Sequence, residues 1–313
     1  MKIIHDLEKL YIEGPSAIGI GKFDGLHLGH RKIIEKLTLA GKEDGLVPVV
    51  FTFDPPPAVF FGFEENKGII TKNEKRELLE EAGIEVLVEY PMNPVTAAVE
   101  PERFIREFLC ERMNARLIVA GTDLSFGARG SGNFALLNAM KSGLGYETLE
   151  IEKVRMFGNI ISSTRIRALI KEGNISEVNA LLGRPLRFSG IIKHGRQLGR
   201  TIGMPTANIY PDEGKLLPPF GVYYSIMEID GIDGPVPGIS NIGMKPTVKD
   251  DEEINIETYL YGVSQELYGR EAKVEFLDFK RREMRFPSLE ALKETMQKDR
   301  ESGLEYFKSK GFL

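Results

Sequence analysis

Cysteine, long apolar stretches and any excess of basic charge are what this 313-residue sequence lacks. Its single cysteine, Cys110, excludes an intrachain disulfide and a thiolate metal cluster. Cys110 sits inside an amphipathic stretch and reads as a core residue. No apolar run approaches the roughly 18 residues that a membrane span needs. The N-terminus, Met1-Lys2-Ile3-Ile4-His5-Asp6, meets charge at once, so no membrane association is expected and a cytoplasmic location is. A net charge of −5 gives no electrostatic footing for a nucleic-acid polymer. Histidine is scarce as well: apart from His27 and His30 there are only His5 and His194, and neither stands in a ligand-rich cluster, which argues against a zinc site. What remains is an ordinary globular composition, long enough for two domains with separate cores and two active sites. A monomer or weak homo-oligomer is expected.

From Ser16 to Glu152 short apolar or β-branched runs alternate with helical periodicity, the pattern of a parallel sheet with helical crossovers. Strands are expected at 17–20, 47–53, 86–90, 117–121 and 147–151, and helices at 29–40, 73–81, 101–113 and 133–142. Two short helices follow, at 164–172 and 175–182. Beyond Arg187, Gly and Pro punctuate strand-like segments such as "GVYYSIMEI", "INIETYLYG" and "AKVEFLDF", which predicts an antiparallel barrel. A helix over 288–298, N-capped by Ser288, closes the chain. The boundary falls near Gly183-Arg184-Pro185, giving domains 1–183 and 184–313.

After the first strand comes "GKFDGLHLGH" (21–30). Gly19, Gly21 and Asp24 miss the third glycine of a dinucleotide fingerprint, and no Lys-Ser/Thr pair completes a Walker loop. The helix beginning near Gly29 nevertheless offers unpaired N–H groups to an anion. His27 and His30, three apart, can address one ligand from its first turn. Plain capping by the same residues is the alternative.

"HLGH" is similar to the H-x-G-H signature of the nucleotidyltransferase superfamily. The longer string resembles the form found in prokaryotic bifunctional riboflavin kinase/FMN adenylyltransferases, with Lys22 where Asn is usual. Two further segments fit that resemblance. "GTDLSFGARGSGN" (121–133) carries Asp123, Arg129 and Asn133, with Leu124 replacing an aromatic residue. "ISSTRIR" (161–167) supplies Ser162, Ser163, Thr164 and Arg167. The resemblance implies an adenylyl-transfer site that binds ATP through Gly21, Phe23, Asp24, His27, Gly29, His30, Asp123, Ser162, Ser163, Thr164 and Arg167, with His27, His30 and Arg167 catalytic. "FTFDPPPAVFF" (51–61) would border a flat apolar ligand, or form an ordinary rigid loop.

In the second half, "GIIKHGRQLGRTIGMPTANIY" (190–210) looks like the riboflavin kinase signature of the same family. Thr206 and Asn208, two apart on an extended segment, offer hard oxygen ligands suited to Mg²⁺ from one side. The resemblance implies that both bind the metal and, with Gly195, Gly203 and Pro205, the ATP of the kinase. It casts Glu257 of "NIETYLYG" as the general base, and alternation puts Glu257 on the same face as Tyr259, opposite Ile256 and Thr258. Glu257, Arg285 and Phe286 are implied flavin contacts. The expected architecture is α/β: a parallel-sheet H-x-G-H domain, then an antiparallel riboflavin kinase barrel with a C-terminal helix. The implied activity uses ATP and Mg²⁺ to convert riboflavin to FMN and FMN to FAD. Two alternatives stand beside it: a nucleotidyltransferase with another phosphate acceptor and a non-catalytic barrel, and a flavin sensor without turnover.

Overall fold

The structure, a computed structural model, describes residues 1–195, 205–246, 252–263 and 265–313. It divides into two compact units, Met1–Ser163 and Thr164–Leu313. The first is built on six parallel strands, β1 (Lys2–Ile4), β2 (Ser16–Ile20), β3 (Val47–Asp54), β4 (Val86–Pro91), β5 (Ala115–Gly121) and β6 (Glu147–Ile151). Their order is β1-β4-β3-β2-β5-β6. All five expected strands are present, and β1 joins as an edge paired to β4. Three residues running into His5-Asp6 carry too little alternation to be read as a strand. The order reverses between β2 and β5, so the crevice beyond their carboxyl ends is a topological switch point, where open parallel sheets take their ligands.

Helices cover both faces of this sheet. On one side α1 (Leu28–Asp44) and α2 (Lys72–Glu81) set Ile33, Ile34, Leu37 and Leu79 against Ala17, Val50, Leu87 and Val119. On the other, Phe104, Phe108 and Leu137 pack on Ile18, Phe51 and Val88, with Leu137 supplied by α3 (Phe134–Leu144). Each large apolar side chain withdrawn from water in this way contributes about 1.5–3 kcal/mol. The helix expected over 101–113 is α-helical only at Pro101–Arg103 and continues as a π-helix over Phe104–Arg112. That wider turn stacks Phe104 on Phe108 at 5.7 Å and brings the guanidinium of Arg112 to Glu107, five residues back, at 2.6 Å. Cys110 is half-buried against the same cluster, and burial pushes its thiol up to about 11, as befits a packing group.

The second unit opens with α4 (Ser163–Glu172), whose first residue closes the preceding unit, and α5 (Ile175–Leu182). Six antiparallel strands follow: β7 (Leu186–Ile191), β8 (Thr206–Ile209), β9 (Gly221–Ile229), β10 (Val236–Pro246), β11 (Glu252–Leu260) and β12 (Glu271–Arg282). Their order is β8-β11-β10-β9-β12-β7. An isolated bridge between Lys193 and Asn208 brings the chain beyond β7 back to β8 and curls the sheet. Its inner face buries Phe188, Tyr223, Ile242, Ile256 and Phe276, with a ladder of buried hydroxyls, Ser225 to Ser240 to Thr258, each step 2.7 Å. The outer face is covered at one end by α6 (Leu289–Ser309), which seats Phe307 on Val222 and Ile239. Ser288 caps α6 as expected, accepting from Ala291 N at 3.2 Å, but the helix runs past Lys298 to Ser309.

The units part twenty residues upstream of the boundary read from the sequence, counting from Ser163 to Gly183. Asn179 of α5 explains the grouping. Its amide donates to the Phe276 carbonyl of β12 at 2.8 Å and accepts from Leu186 N of β7 at the same distance, fastening α5 to the barrel.

Candidate active sites

The loop after β2 is held against its own conformational preference. Phe23 and Leu26 have φ of 49° and 43°, a left-handed region that costs a side-chain-bearing residue about 1–3 kcal/mol. Both side chains are buried, which offsets that strain, and polar anchors fix the turns between them. Asp24 accepts from Ile69 N at 2.9 Å, and its carbonyl accepts from the Ser163 hydroxyl, also at 2.9 Å. The Lys22 carbonyl accepts from Thr52 Oγ1 at 3.2 Å and from Lys75 Nζ at 3.0 Å. Burial lowers the pKa of the Lys75 ammonium, opposed by the carboxylates of Asp24, Glu89 and Asp54.

At the end of this loop His27 caps α1. Its Nδ1 accepts from Gly29 N at 3.2 Å and from His30 N at 3.3 Å. A nitrogen that accepts carries no proton, so the neutral ring bears its N–H at Nε2 as a donor. Capping and ligand binding, opposed readings of the sequence, are thus compatible in one ring. His30 stacks on His27 with centroids 3.8 Å apart and planes 16° from parallel. Gly29 makes room for this: a Cβ there would stand 3.1 Å from His27 Cε1 and Nδ1.

Asp123 follows β5 at the other side of the switch point, exposed and paired with Lys153 Nζ at 3.0 Å. Asn133 has a local task, capping α3 by accepting from Leu136 N at 3.0 Å. Arg129 lies in a short turn with φ of 55°. Ser162 is half-buried just before α4, and Ser163 begins it. Exposed Thr164 and half-buried Arg167 follow within α4, on the second unit's side of the division. The structure therefore joins Asp24 to Ser163 directly and places Asp123 on the neighbouring strand end.

In the barrel, β8 and β11 pair in the register Thr206↔Tyr259, Ala207↔Thr258, Asn208↔Glu257. Alternation sends Ala207, Ile256 and Thr258 inward and leaves Thr206, Asn208, Asn255, Glu257 and Tyr259 on the outer face. Glu257 lies on a strand flanked by β8 and β10, not on the edge. Thr206 Oγ1 donates to Glu257 Oε1 at 2.6 Å, which directs the hydroxyl proton to the carboxylate and leaves oxygen lone pairs to accept or ligate. Asn208, 2% exposed, accepts on Oδ1 from Asn255 Nδ2 at 2.8 Å.

These oxygens fit Mg²⁺ in kind: a hydroxyl, an amide carbonyl and a carboxylate on one sheet face. Among the described residues no cluster of three or more His, Cys, Asp or Glu could hold a metal, so a thiolate or imidazole cage has no counterpart there. A Cβ on Gly195 would lie 2.6–2.8 Å from the amide atoms of Asn208, so only glycine lets the chain pass at this point. Gly203 lies outside the described residues. Pro205 and Thr206 line a cavity of about 450 Å³ with Leu260, Val263, Leu267 and Tyr268, and His194 stacks on Tyr268 at 3.5 Å. Arg285 is exposed and Phe286 half-buried in the loop between β12 and α6. Asn255 opens "NIETYLYG" yet carries no role of its own in the sequence reading, nor does Tyr268, and Lys75 belongs to no motif. Lys75 meets Lys22 only because two segments 53 residues apart converge.

Comparison with known proteins agrees with the fold of the two units. A sequence model of the FAD synthetase family matches residues 11–165, and one of the riboflavin kinase family matches residues 182–307. The bifunctional riboflavin kinase/FMN adenylyltransferase of Bacillus subtilis is 35% identical, the match spanning 98% of each chain. The protein of the same description from Escherichia coli K12 is 34% identical, over 97% of this chain and 96% of that one. A solved structure from Streptococcus pneumoniae, described as a macrolide-efflux protein, is 29% identical and superposes with a TM-score of 0.84 over 96% of this chain and 97% of that one. Among the described residues, no helix here is long and apolar enough to cross a membrane. Matches to both families, in order along one chain, with named relatives aligned nearly end to end, show that the chain belongs to the bifunctional riboflavin kinase/FMN adenylyltransferase family.

Proposed function

We propose that this chain makes FAD from riboflavin in two ATP-dependent steps, the first on the outer face of the barrel and the second at the switch point of the parallel sheet. In the first, the 5′-hydroxyl of riboflavin attacks the γ-phosphorus of ATP, an O–P bond forms, ADP leaves, and Glu257 takes the hydroxyl proton. Thr206 and Asn208 would hold Mg²⁺, which supplies charge neutralisation on the phosphate oxygens. The cavity beside Thr206, with apolar walls from Leu260, Val263 and Leu267, suits the adenosine of that ATP. Gly195, Gly203 and Pro205 frame its phosphates, and Arg285 and Phe286 approach the flavin.

In the second step a terminal phosphate oxygen of FMN attacks the α-phosphorus of another ATP and pyrophosphate departs. No side-chain nucleophile is needed, so the protein contributes alignment and charge stabilisation. His27, through Nε2–H, and His30 donate to ATP, with Gly21, Phe23, Asp24 and Gly29 shaping the loop that presents them. Asp123, Ser162 and Ser163 complete the loop side of the site, and the family resemblance assigns Thr164 and Arg167 to ATP as well, Arg167 to the leaving pyrophosphate. Exposed Phe61 and Phe63, beyond the end of β3, suit the border of a flat flavin. A cytoplasmic monomer or weak homo-oligomer, free of nucleic acid, accords with this small-molecule chemistry.

The observation that carries the reading is the oxygen-lined face of Thr206, Asn208 and Glu257, since a phosphoryl acceptor site in the same chain makes FMN the molecule to be adenylylated. Incubating the pure protein with riboflavin, ATP and Mg²⁺ and separating the flavins chromatographically should show FMN and then FAD. Unchanged riboflavin sinks the reading, and FMN accumulating without FAD removes its second half.

Lys75 provides a test of the loop. A hydrogen bond from a charged donor is worth about 1.5–3 kcal/mol, so Lys75→Met is expected to slow FAD formation from supplied FMN by roughly ten- to a hundredfold. Riboflavin phosphorylation in the same preparation should keep its rate. Equal loss of both activities would mean that Lys75 supports the fold and not the loop.

A further inference from the structure

Beside Asn208 lies a buried polar group that the two reactions leave unused. Asn255 is 1% exposed, and its Oδ1 has no hydrogen-bond partner among the described residues, although its Nδ2 donates to Asn208 Oδ1 at 2.8 Å. Buried amides ordinarily satisfy both ends, so an orphaned oxygen at a functional face asks for a reason. The register supplies the geometry. Asn208 pairs with Glu257 and reaches diagonally to Asn255, two residues on; Thr206 pairs with Tyr259 and reaches diagonally, with the same offset, to Glu257. Two parallel cross-strand bonds thus orient the two side chains read as metal ligands.

We propose that Asn255 is a positioning residue for the kinase site, setting which way the amide of Asn208 faces by a hydrogen bond that can run in either direction. This rests on the assignment of Asn208 as a ligand of the nucleotide-bound cation. In the arrangement observed, Asn255 donates to Asn208 Oδ1. With both amides turned over, Asn208 Nδ2 gives up its 3.4 Å bond to the Thr206 carbonyl and donates to Asn255 Oδ1, Asn255 Nδ2 takes the position the orphaned oxygen held, and Asn208 Oδ1 is given over to the cation. An amide can make this exchange because it carries a donor and an acceptor at nearly equivalent positions. The opposite neighbour across β10 is Gly243, which has no side chain to compete for the pair.

The test compares Asn255→Leu, which has similar volume and neither donor nor acceptor, with Asn255→Asp, which can only accept and so favours the second arrangement. The full chain is titrated with Mn²⁺ in the presence of ADP, with bound metal read by electron paramagnetic resonance, and kcat and the KM for metal-ATP are measured for FMN formation. Asn255→Leu should weaken Mn²⁺ binding and raise that KM about tenfold. Asn255→Asp should bind Mn²⁺ at least as tightly as the unsubstituted chain, and FAD formation from supplied FMN should be unchanged in both. Unaltered Mn²⁺ binding in Asn255→Leu overturns the proposal, and so does weakened binding in Asn255→Asp, whatever the state of the leucine variant. Asn208→Ala separates the underlying assignment: if it keeps full Mn²⁺ binding, Asn208 is not a ligand and the site itself has been misread. If it loses binding while Asn255→Leu does not, only the role of Asn255 falls.

Discussion

Glu257→Gln is expected to lower ATP-dependent FMN formation by about 10²–10⁴-fold, the usual contribution of a positioned general base. Gln has the same shape, and its amide oxygen can still accept from Thr206 Oγ1, which now donates to Glu257 at 2.6 Å. Orientation of the Thr206 hydroxyl is therefore preserved while the proton acceptor is removed. FAD formation from supplied FMN, proposed for the switch point of the parallel sheet and not for the outer face of the barrel, serves as the internal control and should be unaffected. Chromatographic initial rates with riboflavin and with FMN as alternative substrates give both numbers. If FMN formation falls no more than a few-fold, Glu257 acts only as the hydrogen-bond partner of Thr206, and the base must be sought elsewhere on the outer face.

Much of this arrangement is legible in the amino-acid sequence. Alternation alone puts Glu257 and Tyr259 on one face of β11, and the pairs Ala207–Thr258 and Ile209–Ile256, buried toward the core, make that face external. The parallel strands are legible because most are apolar or β-branched runs bounded by turns. Less visible are features that depend on a distant partner. α6 looks finished by Lys298 because Ser302 and Gly303 follow, yet Ser302 bonds to Tyr224 at 2.7 Å and Gly303 lets Ile239 and Tyr261 press on the helix backbone. The π-helical turn at Phe104–Arg112 keeps the same apolar residues as an α-helix and differs in spacing only. Asn255 sits in an apolar, β-prone run whose pattern says nothing of Asn208, 47 residues away. The strained backbone at Phe23 and Leu26 is equally hidden, since the residues usual in that conformation are Gly and Asn.

His27 carries the second large effect, and its two nitrogens allow capping to be separated from catalysis. Asn is among the best N-cap residues, so His27→Asn should keep the start of α1 intact, accepting from Gly29 N and His30 N as Nδ1 does now. Its shorter amide does not reach where the imidazole Nε2–H does. Loss of one donor aimed at charge that develops in the transition state costs about 10²–10³-fold in kcat. FAD formation from supplied FMN should fall by about that factor, with thermal stability and riboflavin phosphorylation unchanged. His27→Ala removes the cap as well and should add a loss of stability of about 1 kcal/mol, visible as a lower unfolding midpoint for the first unit. Should His27→Asn form FAD at the original rate while His27→Ala does not, the imidazole serves α1 alone, and stabilisation of the departing pyrophosphate falls to His30 and Arg167. The opposite pattern, equal loss in both variants with stability lowered only in His27→Ala, assigns Nδ1 to the helix and Nε2 to the phosphate.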